Sequence, residues 1–184
     1  TSDINLDGQA YGIVVRSPHA HARISKIDTA AAAAAPGVLA VYTSVDIKAA
    51  GLKPLPFLLV FDKNIDGSKV FSPTRDILAV DVVRHVGHPV AFVVTETHAQ
   101  AQDAAELVEV DYEPLPSITD TKHATDFDAA QVWDGAPNNT AFTWQIGNRE
   151  ATAAAFEKAD QVVEVELVNN RVVVGRGFCN CRRT

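Results

Sequence analysis

The sequence predicts an α/β (α+β) fold, and three observations carry that prediction. Short β-branched runs recur along the chain, separated by alanine-rich segments of high helix propensity. One block, Val90 to Tyr112, reads as strand, helix and strand in immediate succession. A second pattern of the same kind begins at "AFTWQI", Ala141 to Ile146.

The first strong element is "YGIVV", Tyr11 to Val15, a run of strand type. In "RSPHAHARISKID", Pro18 restricts the backbone, and Ile24 and Ile27 resume the apolar pattern. Asp28 is placed to cap the alanine run that follows, which Pro36 and Gly37 stop. "VLAVY" is the next strand. The stretch from Gly51 to Asp76 has no clear period, and its prolines and "NIDG" signal turns, so it reads as an excursion covering another surface.

"ILAVDVVRHVGHPVAFVV" reads as two strand segments divided by Gly87 and Pro89. Thr97 and Gln100 have capping-box spacing, and Ala101, Ala104 and Ala105 line one face of the helix they open. Val108, Val110 and Tyr112 then alternate with Glu109 and Asp111, the period of a half-buried strand. A crossover of this length suits a parallel or mixed sheet. Beyond Pro116 the composition turns polar and linker-like. Asn148 is then a candidate cap for "REATAAAFEKA", and Val163, Val165 and Leu167 alternate with Glu164 and Glu166. A β-α-β unit alone leaves sheet edges uncovered, so this second unit is expected to be incomplete as it stands.

With 47% apolar residues the chain can build a packed core. A net charge of −7 disfavours a nucleic-acid binder, which needs a basic face. No apolar run approaches the roughly 20 residues that span a bilayer, and the first residues lack a signal-peptide pattern. Two cysteines one residue apart are no secreted disulfide framework, so a cytoplasmic setting is expected. The chain contains no methionine, which suggests that Thr1 is not the natural start.

Two clusters invite a chemical reading. His19 and His21 with Cys179 and Cys181 would make a Cys2His2 zinc set, although C-x-C is not the usual zinc spacing and the pairs lie far apart in sequence. Glu109 and Asp111 could do acid–base work, but they occupy the polar face of an alternating strand, where a solvated face is the simpler account. "GRG" is too short for a phosphate-binding fingerprint, and no G-x-S-x-G elbow occurs.

Longer stretches carry more. "TSDINLDGQAYGIVVRSPHAHARISKIDTAAAAAAPGVLAVYT", "VRHVGHPVAFVVTETHAQAQDAAELVEVDYEPLPSITD", "VWDGAPNNTAFTW" and "AAFEKADQVVEVELVNNRVV" follow one another in a familiar order. Together they resemble the start of the large, molybdenum-binding subunit of the molybdenum hydroxylases. That is the xanthine dehydrogenase and aldehyde oxidase superfamily, with the carbon monoxide dehydrogenase-like branch most similar. The resemblance runs to Val174 and departs at His88, where the family usually has Glu.

The resemblance implies an α/β-hammerhead domain followed by the truncated start of a molybdopterin-binding domain. The expected limits are 1–122 for the hammerhead, 123–140 for a linker and 141–174 for the incomplete second domain. Residues 175–184, "GRGFCNCRRT", fall out of the pattern and read as a shifted reading frame, which would make both cysteines accidental. The family's catalytic glutamate and pterin contacts would lie beyond residue 184, so no catalytic, cofactor-binding or metal residue is assigned here.

By the same resemblance the parent subunit would hold molybdopterin cytosine dinucleotide, with 2Fe-2S clusters and FAD on companion subunits. Those subunits and a second copy of the large subunit would be the partners. The parent reaction would be hydroxylation with water as oxygen source, or carbon monoxide oxidation, and this stretch alone would be inactive. A non-catalytic interaction module built on the hammerhead surface and a small zinc-binding protein are the alternatives.

Overall fold

The computed structural model describes residues 6–56 and 61–167. Cys179 and Cys181, the whole of 175–184 and residues 168–174 lie outside the described residues. Among the described residues six strands form two three-stranded sheets. They are β1 (Tyr11–Arg16), β2 (Ala22–Asp28), β3 (Val38–Thr43), β4 (Val82–Val83), β5 (Pro89–Thr95) and β6 (Glu109–Pro114). The helices are α1 (Ala30–Ala33), α2 (Ser44–Ala49), α3 (His98–Glu106) and α4 (Arg149–Glu157).

The first sheet has the order β1-β5-β3 and the second β4-β2-β6. Every pairing between these strands is antiparallel. The expectation of a parallel or mixed sheet is therefore corrected. β5 already has β1 on one side and β3 on the other, so the chain leaving α3 cannot pair with it again and joins β2 instead. The crossover carries the chain from one sheet to the other.

Small side chains decide how closely the layers approach. Ala91 and Val93 on β5 meet Ala104 of α3 and Ala32 of α1, with Val108 closing the cluster. Ala22, Ala79, Val83 and Val90 form a second cluster. Val15 and Val110 pack against both and so join the sheets. Burying such side chains is the main favourable term, roughly 1.5–3 kcal/mol for a fully buried valine.

Local chemistry sets the helix starts. The Asp28 carboxylate accepts from the Ala30 N–H at 3.0 Å, although α1 stops at Ala33, short of the full alanine run. Thr97 Oγ1 accepts from the Gln100 N–H at 3.3 Å. At α2, which the sequence does not announce, the Asp46 carboxylate accepts from both the N–H (2.7 Å) and the hydroxyl (2.9 Å) of Thr43. These bonds satisfy polar groups that a helix end leaves unpaired.

Three strand expectations fail. Ile77–Asp81 is irregular, and only Val82–Val83 pairs. Leu78 and Ala79 are buried nonetheless, so their apolar character reports burial rather than a strand. Ala141–Ile146 and Val163–Leu167 are not strands among the described residues. The first lies along the excursion, where Phe71 N–H donates to Ala141 O and Thr143 N–H to Asn64 Oδ1. The second is exposed, with Val163 at 76% and Leu167 at 84% of full accessibility. Strand periodicity without a partner strand leaves backbone groups to water.

Candidate functional site

Among the described residues the sequence-derived candidates are not brought together, and Cys179 and Cys181 lie outside them. His19 lies against the Tyr112 ring at 4.8 Å between centroids, whereas the His21 Nδ1 sits 2.7 Å from Pro116 O. Residues 17–21 are not a strand, and the chain bends at Ala20 and His21. No group of three or more His, Cys, Asp or Glu able to hold a metal occurs among the described residues. Glu109 and Asp111 are exposed on β6, where Asp111 pairs in register with Lys26 and Glu109 with Asp28. Glu113 faces Arg23 across the same ladder at 3.9 Å. This is a solvated, charge-patterned face.

The turn from Arg84 to His88, which sequence reasoning missed, gathers a guanidinium residue and two imidazoles. The rings of His85 and His88 stack 4.6 Å apart at 14°. The Arg84 N–H donates to His88 Nδ1 at 3.2 Å, which places the imidazole proton on Nε2. Burial, with His85 and the Arg84 charge adding to it, pushes His88 down to about 4. His88 is thus neutral in ordinary buffers. Among the described residues no carboxylate is bonded to it as an orienting partner, and no serine is bonded to it as a nucleophile.

Ser17, at 2% exposure, holds the turn from the other side. Its N–H donates to His88 O at 3.0 Å, and the Gly87 N–H donates to Ser17 O at 2.8 Å. Its hydroxyl accepts from the His19 N–H at 3.0 Å. The "SPHAH" segment is therefore a structural joint. The Arg84 side chain reaches the segment beyond β6, donating from Nε to Val132 O at 3.1 Å and lying over the Trp133 ring. Only proximity in the fold reveals these pairs, because their members are far apart in sequence.

A groove of about 550 Å³ runs beside α4, lined by Asn148, Thr152, Phe156, Ala159, Val162 and Val163 among others. No charged side chain lines it. A dinucleotide cofactor needs cationic or N–H donors at its phosphates and a pocket that encloses it. The lining of this groove does not fit such a group, and no chemical step is derived through one.

Residues 1–116 match the family described as aldehyde oxidase and xanthine dehydrogenase, a/b hammerhead domain. The chain belongs to this aldehyde oxidase and xanthine dehydrogenase family. The chain is similar to the carbon monoxide dehydrogenase large chain of Afipia carboxidovorans, 38% identical over 182 residues, covering 92% of this chain and 21% of that one. The nicotine 6-hydroxylase large subunit of Paenarthrobacter nicotinovorans is 43% identical over 174 residues, covering 93% and 20%. Among solved structures, reconstituted CO dehydrogenase from Oligotropha carboxidovorans superposes with a TM-score of 0.70 at 38% identity, covering 87% of this chain and 20% of that one. The chain spans about a fifth of the length of the curated relatives it matches. The two antiparallel sheets with packed helices are thus the hammerhead architecture of molybdenum hydroxylase large subunits. Among the described residues no helix is long and apolar enough to cross a membrane.

Proposed function

We propose that these 184 residues supply scaffold to the large subunit of a molybdenum-containing oxidoreductase, and that by themselves they turn over no substrate. Residues 1–122 would be the hammerhead domain, 123–140 a connecting segment and 141–174 the opening of the cofactor-binding domain. The observation that carries this reading is the match of residues 1–116, with their closely packed core, to the hammerhead family, in a chain that spans about a fifth of the length of the curated relatives it matches.

The parent reaction on this reading is hydroxylation with water as oxygen source, or oxidation of carbon monoxide. Molybdopterin cytosine dinucleotide would sit in the large subunit, and 2Fe-2S and FAD subunits would accept the electrons. Those subunits and a second large subunit would be cytoplasmic partners. In such an assembly this chain's own contribution is to hold shape and present contact surface.

The test is to purify the chain after expression in cells that make molybdopterin. Molybdenum and pterin content are measured, together with turnover of carbon monoxide, aldehydes and N-heterocycles using an artificial electron acceptor. Background metal content and no turnover are expected. Stoichiometric pterin, or turnover of any of these substrates, would overturn the proposal.

A further inference from the structure

The turn at residues 84–88 is gripped from two sides. On one side the end of β1 and the residue after it hold it, through the Ser17 bonds to Gly87 and His88 and through Arg16 Nη1, which donates to Gly87 O at 2.9 Å. On the other, Arg84 holds the loop at 132–139 through Val132 O and the Trp133 ring. That loop is itself tied together by Asn139. Its Oδ1 accepts from the Val132 N–H at 2.8 Å, and its Nδ2 donates to Ala130 O at 3.0 Å and Ala124 O at 2.8 Å. Asn139 thus closes the loop on itself, and the Arg84 side chain ties it to the turn.

We propose that this turn is a proton-sensitive latch: neutral His88 keeps Arg84 seated on the loop at 132–139, and protonation of His88 releases it. The acceptor at His88 Nδ1 is what fixes the Arg84 backbone. A proton there turns the acceptor into a donor facing another donor, so the bond is lost. It also sets an imidazolium within the field of the Arg84 charge and against the His85 ring.

The groups around the turn do not offset that charge. Arg84 and His85 flank His88 within the turn, and Arg16 approaches from β1. Asp134 of the loop, with Asp76 and Asp81 before β4, acts on Arg84, while the charges felt by His88 are those of His85 and Arg84. Protonation therefore adds a cation to a cationic corner. Burial first, and then the charges of His85 and Arg84, push His88 down to about 4. The inference is independent of the proposed function, since it concerns the chain's own coupling of the sheet to the segment beyond β6.

The experiment uses the full chain carrying Trp144→Phe, which leaves Trp133 as the sole indole. Trp133 emission and far-UV circular dichroism are followed from about pH 8 to about pH 3. His88→Asn is the comparison, because its carboxamide oxygen stands where Nδ1 stands and does not titrate. With His88 present, the emission should change with a midpoint below 6.5, before the dichroism is lost. In His88→Asn that change should vanish or move about one pH unit or more lower. Superimposable emission curves, or a change that coincides with loss of dichroism in both proteins, would overturn the latch. If His88→Asn does not fold, nitrogen-15 spectra of the His88 ring decide. An unprotonated Nδ1 at neutral pH that titrates together with the emission supports the proposal, and a protonated Nδ1 or separate midpoints sink it.

Discussion

The Arg84 guanidinium carbon lies 3.7 Å from the centre of the Trp133 ring, joining the turn before β5 to the segment that follows β6. Trp133 also lies 6.1 Å from the Phe71 ring, so the excursion, the turn and this segment meet at one indole. A cation over an indole face contributes about 0.5–2 kcal/mol, more when partly desolvated. A double-mutant cycle with Arg84→Ala and Trp133→Ala should return a coupling of about 0.5–1 kcal/mol in urea unfolding. Strictly additive losses would mean that the two residues stabilise the fold independently.

The centre of the first sheet should dominate stability. Val93 is fully buried and stands opposite both Ile13 and Val41, with Ala32 and Ala104 above it. Val93→Ala removes two methyl groups from a site with little room to collapse and should cost about 2–3 kcal/mol. Val163→Ala, at a position 76% exposed, should change stability by less than about 0.5 kcal/mol. Equal losses at the two sites in equilibrium unfolding would show that the C-terminal segment is packed in solution.

Periodicity makes some of this legible in the sequence and leaves the rest silent. Val108, Val110 and Tyr112 alternate because half-burial imposes a period of two, and β6 forms there. The caps at Thr97 and Asn148 are readable because a cap is a local hydrogen bond. Alternation does not say which strand is the neighbour, so the antiparallel separation of β5 from β6 could not be read. Val163 to Leu167 show the same limit, since the period is present without a partner strand. The candidate site illustrates it further. His19 and His21 are conspicuous in sequence yet serve separate partners, whereas Arg84, His88 and Trp133 meet only in the folded chain.

The start of α2 should be acid-sensitive in a defined direction. The backbone N–H and the hydroxyl of Thr43 hold the Asp46 carboxyl below its ordinary value of 3.8. A carboxyl whose folded value is lowered contributes stability that is present above the unfolded value and lost as pH falls through the folded one. At neutral pH Asp46→Asn should cost about 0.5–1 kcal/mol, in the range of a lost helix cap. The gap between the two proteins should close only below about pH 4. A gap unchanged between neutral and acid solution, measured by urea unfolding at each pH, would mean that the ionised carboxylate is not what stabilises this cap.

Limited proteolysis should divide the chain unevenly. α4 buries no side chain, and the segment after it exposes Val162, Val163, Val165 and Leu167. Among the described contacts, its ion pair back to the preceding loop is Lys122 with Glu166, at 3.0 Å between two exposed side chains. Such a pair contributes about 0–1 kcal/mol, too little to hold a helix shut against a protease. The segment from Ala124 to Asn139, by contrast, is held by the three Asn139 bonds and by the Arg84–Trp133 contact. The first cuts should therefore fall beyond Thr140 and leave a resistant N-terminal piece that still contains Trp133, identified by intact mass. In Trp133→Ala the resistant piece should shorten toward the end of β6, because the tether across the turn is gone. Uniform resistance along the chain, or a first cut before Ala124, would show that the stability gradient drawn from burial is wrong.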